Sequence, residues 1–281
     1  MTPLEALAPT QTEWGSSRYA EWQRCQVAHD LRYIQGIRPT SEPDYFGIGT
    51  LVHAALAYVA DGAMRHTKPH RWEDVVKAAQ TQDPPPPEFV IEESSRLLKA
   101  YFQRWGHENA GWSAVDIISI EREFTAPAPN SFRYSGRIDM LLEIDGQIMI
   151  VDTKTTSRNY GSNYDEIRRE LTTRSQFLGL SWLVQNAFGL REPPAIIVNL
   201  IVKTKVPQFD RIWAPITQKQ LALWVETQRQ NYQVFDLLSA RKPIRNYSAC
   251  APGYSPRCWA FDWCHGTNEQ HERLYRIEKK P

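Results

Sequence analysis

Residues 136–156 read GRIDMLLEIDGQIMIVDTKTT. Two apolar runs flank Asp145-Gly146, and both positions of a two-residue hairpin turn favour residues that accept positive φ. Such a turn sets the register. Ile144 stands opposite Gln147, Glu143 opposite Ile148 and, counting on, Asp139 opposite Asp152. Directly opposed residues place their Cβ atoms ~4.5–5.5 Å apart. Lys154, two residues beyond Asp152, lies on the same face. Like charges facing each other destabilise a sheet, and Asp is a poor strand former. Two readings of these residues stay open. One is an ordinary ion pair of Asp139 with Lys154 at a sheet end. The other is a site for a hard divalent ion such as Mg²⁺ or Mn²⁺, with the lysine orienting an attacking water, helping to deprotonate it, or stabilising a pentavalent phosphate.

Outward from the hairpin, Val115 to Phe124 reads as a preceding strand, within a run of three with Phe132 to Ile144 and Gln147 to Lys154. A helix is expected from Arg174 to Phe188, and AIIVNLIV, Ala195 to Val202, reads as a buried strand with Gln208 to Ala214 as its edge partner. Thr217 is placed to cap a helix through Leu238. On the N-terminal side helices are expected over Glu13 to Gln35, stopped by Gly36, over Gly47 to Met64, around Trp72 to Ala79, and over Glu88 to Asn109. The prolines at 84–87 make a stiff connector. Lys242 to Gly266 carries Pro, Gly, Trp and three Cys without a period, so something other than a core must organise it. Thr267 to Pro281 is a charged tail with a short exposed helix. Helices, a strand meander, then helix, strand, helix indicate an α/β or α+β core.

The 281 residues are 42% hydrophobic and 23% charged, which suits a folded chain able to bury a core. Lys+Arg at 33 nearly balances Asp+Glu at 32, so a nucleic-acid surface has to be a local patch. No apolar run is long enough to span a bilayer, and the N-terminus lacks the pattern of a secretory signal. The expected address is the cytoplasm, where a disulfide framework is disfavoured. Cys25 stands alone near the start, while Cys250, Cys258 and Cys264 crowd the end. They are either unrelated buried thiols or one four-thiolate metal or cluster site joining the two ends of the chain.

Asp139 followed by Asp152-Thr153-Lys154 resembles the D…(D/E)-x-K arrangement of the PD-(D/E)XK nucleases. Flanking residues resemble the RecB-like branch. Gly49-Thr50-Leu51-Val52-His53 is similar to its G-x-x-x-H helix, whose His joins the metal site. Glu121 precedes the hairpin in an E-x-E-F context, and Gln176 follows the lysine as in its Q-x-x-x-Y motif, with Leu180 at the Tyr position and Trp182 nearby. The cysteine placement and the Trp22-x-x-Cys25…Arg32-Tyr33 context resemble the iron–sulfur subset, which includes CRISPR-associated Fe–S exonucleases and AddAB-type nuclease domains. The C-x5-C spacing of Cys258 and Cys264 matches that subset, whereas C-x7-C from Cys250 to Cys258 replaces its common C-x2-C.

The resemblance implies a restriction-endonuclease-like α/β (α+β) core, a mixed central sheet flanked by helices, within a single domain over residues 1–281. Its parts are a helical portion (1–112), the nuclease core (113–240), a cysteine clamp (241–266) closing with Cys25, and the tail (267–281). It implies Mg²⁺ or Mn²⁺ held by His53, Asp139, Asp152 and the Thr153 carbonyl, with Lys154 positioning water and Glu121 and Gln176 in support. It implies a 4Fe–4S cluster on Cys25, Cys250, Cys258 and Cys264, with Zn²⁺ or 2Fe–2S as the other occupants. The activity it implies is a DNA exonuclease acting on single strands or frayed ends, in recombination, repair or CRISPR-type spacer processing. Arg137, Arg158, Arg168, Arg169 and Arg174 are the candidate phosphate contacts, diluted by Asp165, Glu166 and Glu170; Tyr160, Tyr164 and Trp182 are candidate stacking surfaces. The alternatives are a non-catalytic nucleic-acid scaffold with an Fe–S clamp, a structure-specific endonuclease, and a factor acting with an integrase or recombination partner. No membrane is expected, and a homo-oligomer is compatible.

Overall fold

The computed structural model describes residues 15–40, 44–66, 70–82, 85–107, 111–112, 116–127, 133–157, 167, 169–171, 173–239, 241–250 and 258–277. The chain divides into two compact units. One comprises residues 1–12, 43–126 and 135–224, the other residues 13–42, 127–134 and 225–281.

The second unit opens with α1 (Ser16–Arg24) and α2 (Gln26–His29), followed by a π turn (Asp30–Ile34). A single helix was expected here from periodicity. Instead the backbone is extended at Cys25, with φ −162 and ψ 115, and the Gln35 N–H reaches back to the Asp30 carbonyl at 2.9 Å. The apolar spacing continues across the break, so periodicity cannot reveal it. A short strand, β1 (Ile37–Pro39), follows Gly36, whose φ is 72.

The first unit starts with three helices: α3 (Asp44–Met64), α4 (Trp72–Gln80) and α5 (Glu88–Trp105). α5 ends short of Asn109, at Gly106, where φ is 79. Then come β2 (Asp116–Pro127), β3 (Arg133–Ile144), β4 (Gln147–Thr156), α6 (Ser175–Phe188), β5 (Ile196–Val202) and β6 (Gln208–Ala214), with α7 (Gln218–Ser239) running on into the second unit. The sheet order is β2-β3-β4-β5-β6. β3 and β4 are antiparallel and join at Asp145-Gly146, with φ 51 and 73 as a two-residue turn requires. β5 is parallel to β4, from Ile150 opposite Ile196 to Thr156 opposite Val202. A parallel pair needs a crossover, and α6 lies within it. β6 returns antiparallel to β5.

Alternation sends one set of sheet residues to each face. Met140, Leu142, Met149, Val151, Ile197 and Ile201 share a buried cluster with Leu51, Val52, Ala55, Val75, Leu97 and Leu98 of α3, α4 and α5. Each of the Val, Leu, Ile and Met side chains contributes about 1.5–3 kcal/mol by leaving water. α6 lies against β3 at Gly136, where a Cβ would fall 2.9 Å from Leu183 Cδ1 and 3.0 Å from Leu180 Cδ2. Thr217 and Gln220 form a reciprocal cap before α7: the Gln220 N–H donates to Thr217 Oγ1 at 3.3 Å, and the Thr217 N–H to Gln220 Oε1 at 2.8 Å. The result is the expected mixed five-stranded sheet flanked by helices.

The second unit closes with α8 (Tyr247–Cys250), α9 (Phe261–His265), α10 (Asn268–Leu274) and β7 (Tyr275–Ile277), which pairs antiparallel with β1. Its small core joins Cys25, Ala28, Leu31 and Ile37 to Cys258, Ala260 and Tyr275. Hydrogen bonds fix the two chain segments together, Trp259 Nε1 to Glu21 Oε1 at 2.9 Å and Asn246 Nδ2 to the Arg24 carbonyl at 2.8 Å, while within the C-terminal segment Tyr275 OH donates to the Trp259 carbonyl at 2.9 Å. Among the described residues no helix is long and apolar enough to cross a membrane.

Candidate active site

The β3–β4 ladder runs from Ile144 opposite Gln147 to Met140 opposite Val151. Asp139 and Asp152 are the first residues beyond it. Alternate pairs of an antiparallel ladder exchange N–H···O bonds, and counting from the turn, the Thr153 N–H is next in line to bond across. It donates instead to Asp139 Oδ2, at 2.7 Å. One carboxylate thus takes over a ladder hydrogen bond at the point where pairing ends. The same oxygen lies 3.3 Å from Nδ1 of His53 on α3.

Glu121 reaches this point through a local irregularity in β2. Its φ is 48, a left-handed conformation that costs a non-glycine residue ~1–3 kcal/mol. The alternation of burial also slips there: Ser119 is buried before it, Phe124 and Ala126 after it. An added residue that reverses facing in this way behaves as a bulge, a device that re-aims a side chain. The Glu121 carboxylate is 2.5 Å from Arg137 Nε. One donor atom each from His53, Glu121 and Asp139 lies within 4.8 Å of the other two.

Asp152 is 3% exposed. Its Oδ2 is 2.8 Å from Lys154 Nζ, and Gln176 Nε2 on α6 donates to its Oδ1 at 3.1 Å. The Lys154 ammonium also sits 5.9 Å from the centre of the Phe177 ring. Burial pushes the Asp152 pKa up to about 6, with Lys154 opposing and Asp139 adding to the rise. Burial, reinforced by the Asp139 charge and opposed by Arg137, pushes Glu121 up to about 8. For Lys154, burial works against the charged form, but the Asp152 and Asp139 carboxylates outweigh it and raise its pKa. The carboxylates are therefore short of positive charge, and the lysine is firmly an ammonium. A donor set of carboxylate oxygens and one imidazole nitrogen, lacking counter-charge, fits a hard divalent ion.

This deficit has a measurable sign. A folded-state pKa near 8 for Glu121, above the ordinary 4.5, gives stability that is fully present below about pH 4.5 and is lost as pH rises towards 8. In chelated protein, Glu121→Gln is expected to leave the melting temperature nearly unchanged at about pH 5. At about pH 8 it should raise it, by an equivalent of ~4 kcal/mol at most. Melting curves of both proteins across that range check this; a difference independent of pH contradicts it.

The other residues singled out in the sequence fall as follows. Thr153 is buried and Arg169 exposed. Arg174 pairs with Glu170. Trp182 is buried, with its ring centre 5.9 Å from that of Trp224, and Leu180 is buried too. Arg158, Arg168, Tyr160, Tyr164, Asp165 and Glu166 lie outside the described residues. In the second unit, Cys25, Cys250 and Cys258 are buried and Cys264 is half-buried. The Cys258 N–H donates to the Cys250 carbonyl at 3.0 Å. Burial raises the Cys264 thiol pKa, Arg245 opposes, and Cys25, Cys250 and Cys258 each push it further up, so Cys264 lies within electrostatic reach of the other three. No three of their sulfur atoms come within 4.8 Å of each other.

Sequence reasoning missed two residues beside the site. Asn199 Nδ2 donates to Thr153 Oγ1 at 3.2 Å, and Tyr101 OH donates to Asn199 Oδ1 at 3.3 Å. The signal was present in AIIVNLIV, where one amide interrupts an otherwise apolar strand.

A solved structure of a candidate exonuclease from Eubacterium rectale shares this fold, with a TM-score of 0.55 and 13% identity over 98% of this chain and 96% of that one. The solved structure of SSO0001 aligns with a TM-score of 0.33 and 11% identity over 77% of this chain and 98% of its own, too low to bear on the argument. No curated protein matches the sequence. Residues 13–265 match the PD-(D/E)XK nuclease superfamily, and the chain, with its sheet and its acidic site at the open end of the β3–β4 hairpin, belongs to that superfamily.

Proposed function

We propose that this nuclease is a Mg²⁺- or Mn²⁺-dependent deoxyribonuclease that degrades single-stranded DNA from its ends. The observation that carries the reading is the grouping of His53, Glu121 and Asp139 donor atoms within 4.8 Å, beside a buried Asp152–Lys154 pair. His53, Glu121, Asp139 and Asp152, with the Thr153 carbonyl, would hold the ion. When bound, it supplies charge neutralisation at the phosphate and a lowered pKa for the attacking water. Lys154, kept protonated by its carboxylate neighbours, donates hydrogen bonds to the water or to a phosphate oxygen. Gln176 orients Asp152 through its 3.1 Å bond.

The single-strand preference rests on charge. Affinity for duplex DNA comes mainly from neutralising many phosphates, and a net charge of +1 leaves little for extended wrapping. The expected result is stepwise degradation of linear single strands and slow action on closed circles of the same sequence at equal Mn²⁺. Circles cut as fast as linear strands would turn the assignment to an endonuclease.

The four cysteines are proposed to hold a 4Fe–4S cluster. Supporting this are the burial of Cys25, Cys250 and Cys258, the small core that Cys25 shares with Cys258, and the 3.0 Å bond from the Cys258 N–H to the Cys250 carbonyl. The role is structural, since soft thiolates and the hard acidic site select different ions.

A further inference from the structure

Asn199 stands in the middle of β5, where all seven residues are buried. A buried amide is costly unless its donors and acceptor are used, and an apolar residue would suit the strand better. The sheet register shows what the amide faces. Thr153 of β4 pairs with Asn199, and Asn199 pairs with Arg211 of β6. Thr153, Asn199 and Arg211 thus form one polar row across three strands. From the helical side Tyr101, fully buried, completes it: its OH donates to Asn199 Oδ1 at 3.3 Å and accepts from Arg211 Nη2 at 3.4 Å. Burial raises the Tyr101 pKa, so the phenol stays a donor. Arg211 is itself fixed, 3.6 Å from the Trp112 ring centre, 4.1 Å from that of Trp105, and 2.6 Å from the Gly111 carbonyl.

The row ends on the residue between Asp152 and Lys154. Strand alternation sends the Thr153 side chain to the opposite face from theirs, where the hydroxyl is held by Asn199. The Thr153 N–H meanwhile holds Asp139 Oδ2, the oxygen nearest His53. Rotation or slippage of the Thr153 peptide would move Asp139 directly and Asp152 with it. We propose that Asn199, steadied by Tyr101 and Arg211, is a positioning residue for the cation site, acting through Thr153. This rests on reading His53, Glu121, Asp139 and Asp152 as that site.

The test is calorimetric titration of the chelated full chain with Mn²⁺, alongside its melting temperature. Asn199→Leu keeps the branching at Cγ and suits the apolar strand but removes the amide, at the cost of some added bulk; Thr153→Val removes only the hydroxyl at the other end of the bond. Each is expected to weaken Mn²⁺ binding by ~10-fold, as loss of an outer-shell partner does. The double variant should be no weaker than the worse single, because both break one link. Wild-type affinity in both variants, even with a lowered melting temperature, would make the row merely structural and overturn the inference. Should Asn199→Leu fail to fold, Thr153→Val alone decides in the same way. Asp139→Asn is the control: if wild type binds Mn²⁺ no better than Asp139→Asn, the cation-site reading itself fails, and the inference with it.

Discussion

Asp139→Asn is expected to lower DNA cleavage by ~10³-fold or more while leaving the chelated protein at least as stable as wild type. The two effects have opposite signs because they come from different properties of one side chain. Its oxygen accepts the Thr153 N–H at 2.7 Å, and an asparagine oxygen can do the same, so the open end of the hairpin keeps its shape. Its charge raises the pKa of both Glu121 and Asp152, so removing it relieves repulsion in the absence of metal. With metal present, the same charge is one of the attractions that hold the ion. Digestion of labelled DNA and a melting curve in chelator check the two halves. Residual activity above about a tenth of wild type would remove Asp139 from the machinery.

Cys258→Ser is expected to have the largest effect on stability. Cys25 and Cys258 share a core of seven buried residues whose two chain segments are separated by most of the sequence. A core that small supplies little hydrophobic free energy, and closing so long a loop carries an entropy cost that a bound group offsets. Wild type purified without oxygen should be brown, with equal iron and sulfide. The variant should be colourless, melt at least several degrees lower, and release the segment beyond residue 240 to protease. Colourless wild type with stoichiometric zinc would replace the cluster by a zinc site, and an unchanged protease pattern in the variant would remove the structural role.

How much of this was legible in the sequence varied with the range of the interaction that decided it. The hairpin was legible because Asp145-Gly146 is a local signal that sets the whole register, and the strands followed from the apolar runs, whereas the mixed sheet was what the family resemblance implied. Where the ladder stops was not legible, since the Thr153 N–H bond to Asp139 depends on how the strands part. The same holds for Glu121. Its place before the hairpin was visible, but no local signal in the sequence marks its φ of 48 or the slip in β2. The helix break at Cys25 was hidden because apolar spacing persists through it. β1 and β7, three residues each, are too short to show a period. The division into two units was hidden because the chain enters the second unit three times. Asn199 was the one overlooked local signal.

The acidic site at the open end of the β3–β4 hairpin is proposed to cleave DNA with a bound divalent ion. End-labelled linear single-stranded DNA incubated with the full chain in Mn²⁺, in chelator, and with Asp152→Asn in Mn²⁺ tests it most directly. Progressive shortening of the strand is expected in the first reaction only. Cleavage that persists in chelator, or that proceeds undiminished with Asp152→Asn, would contradict it.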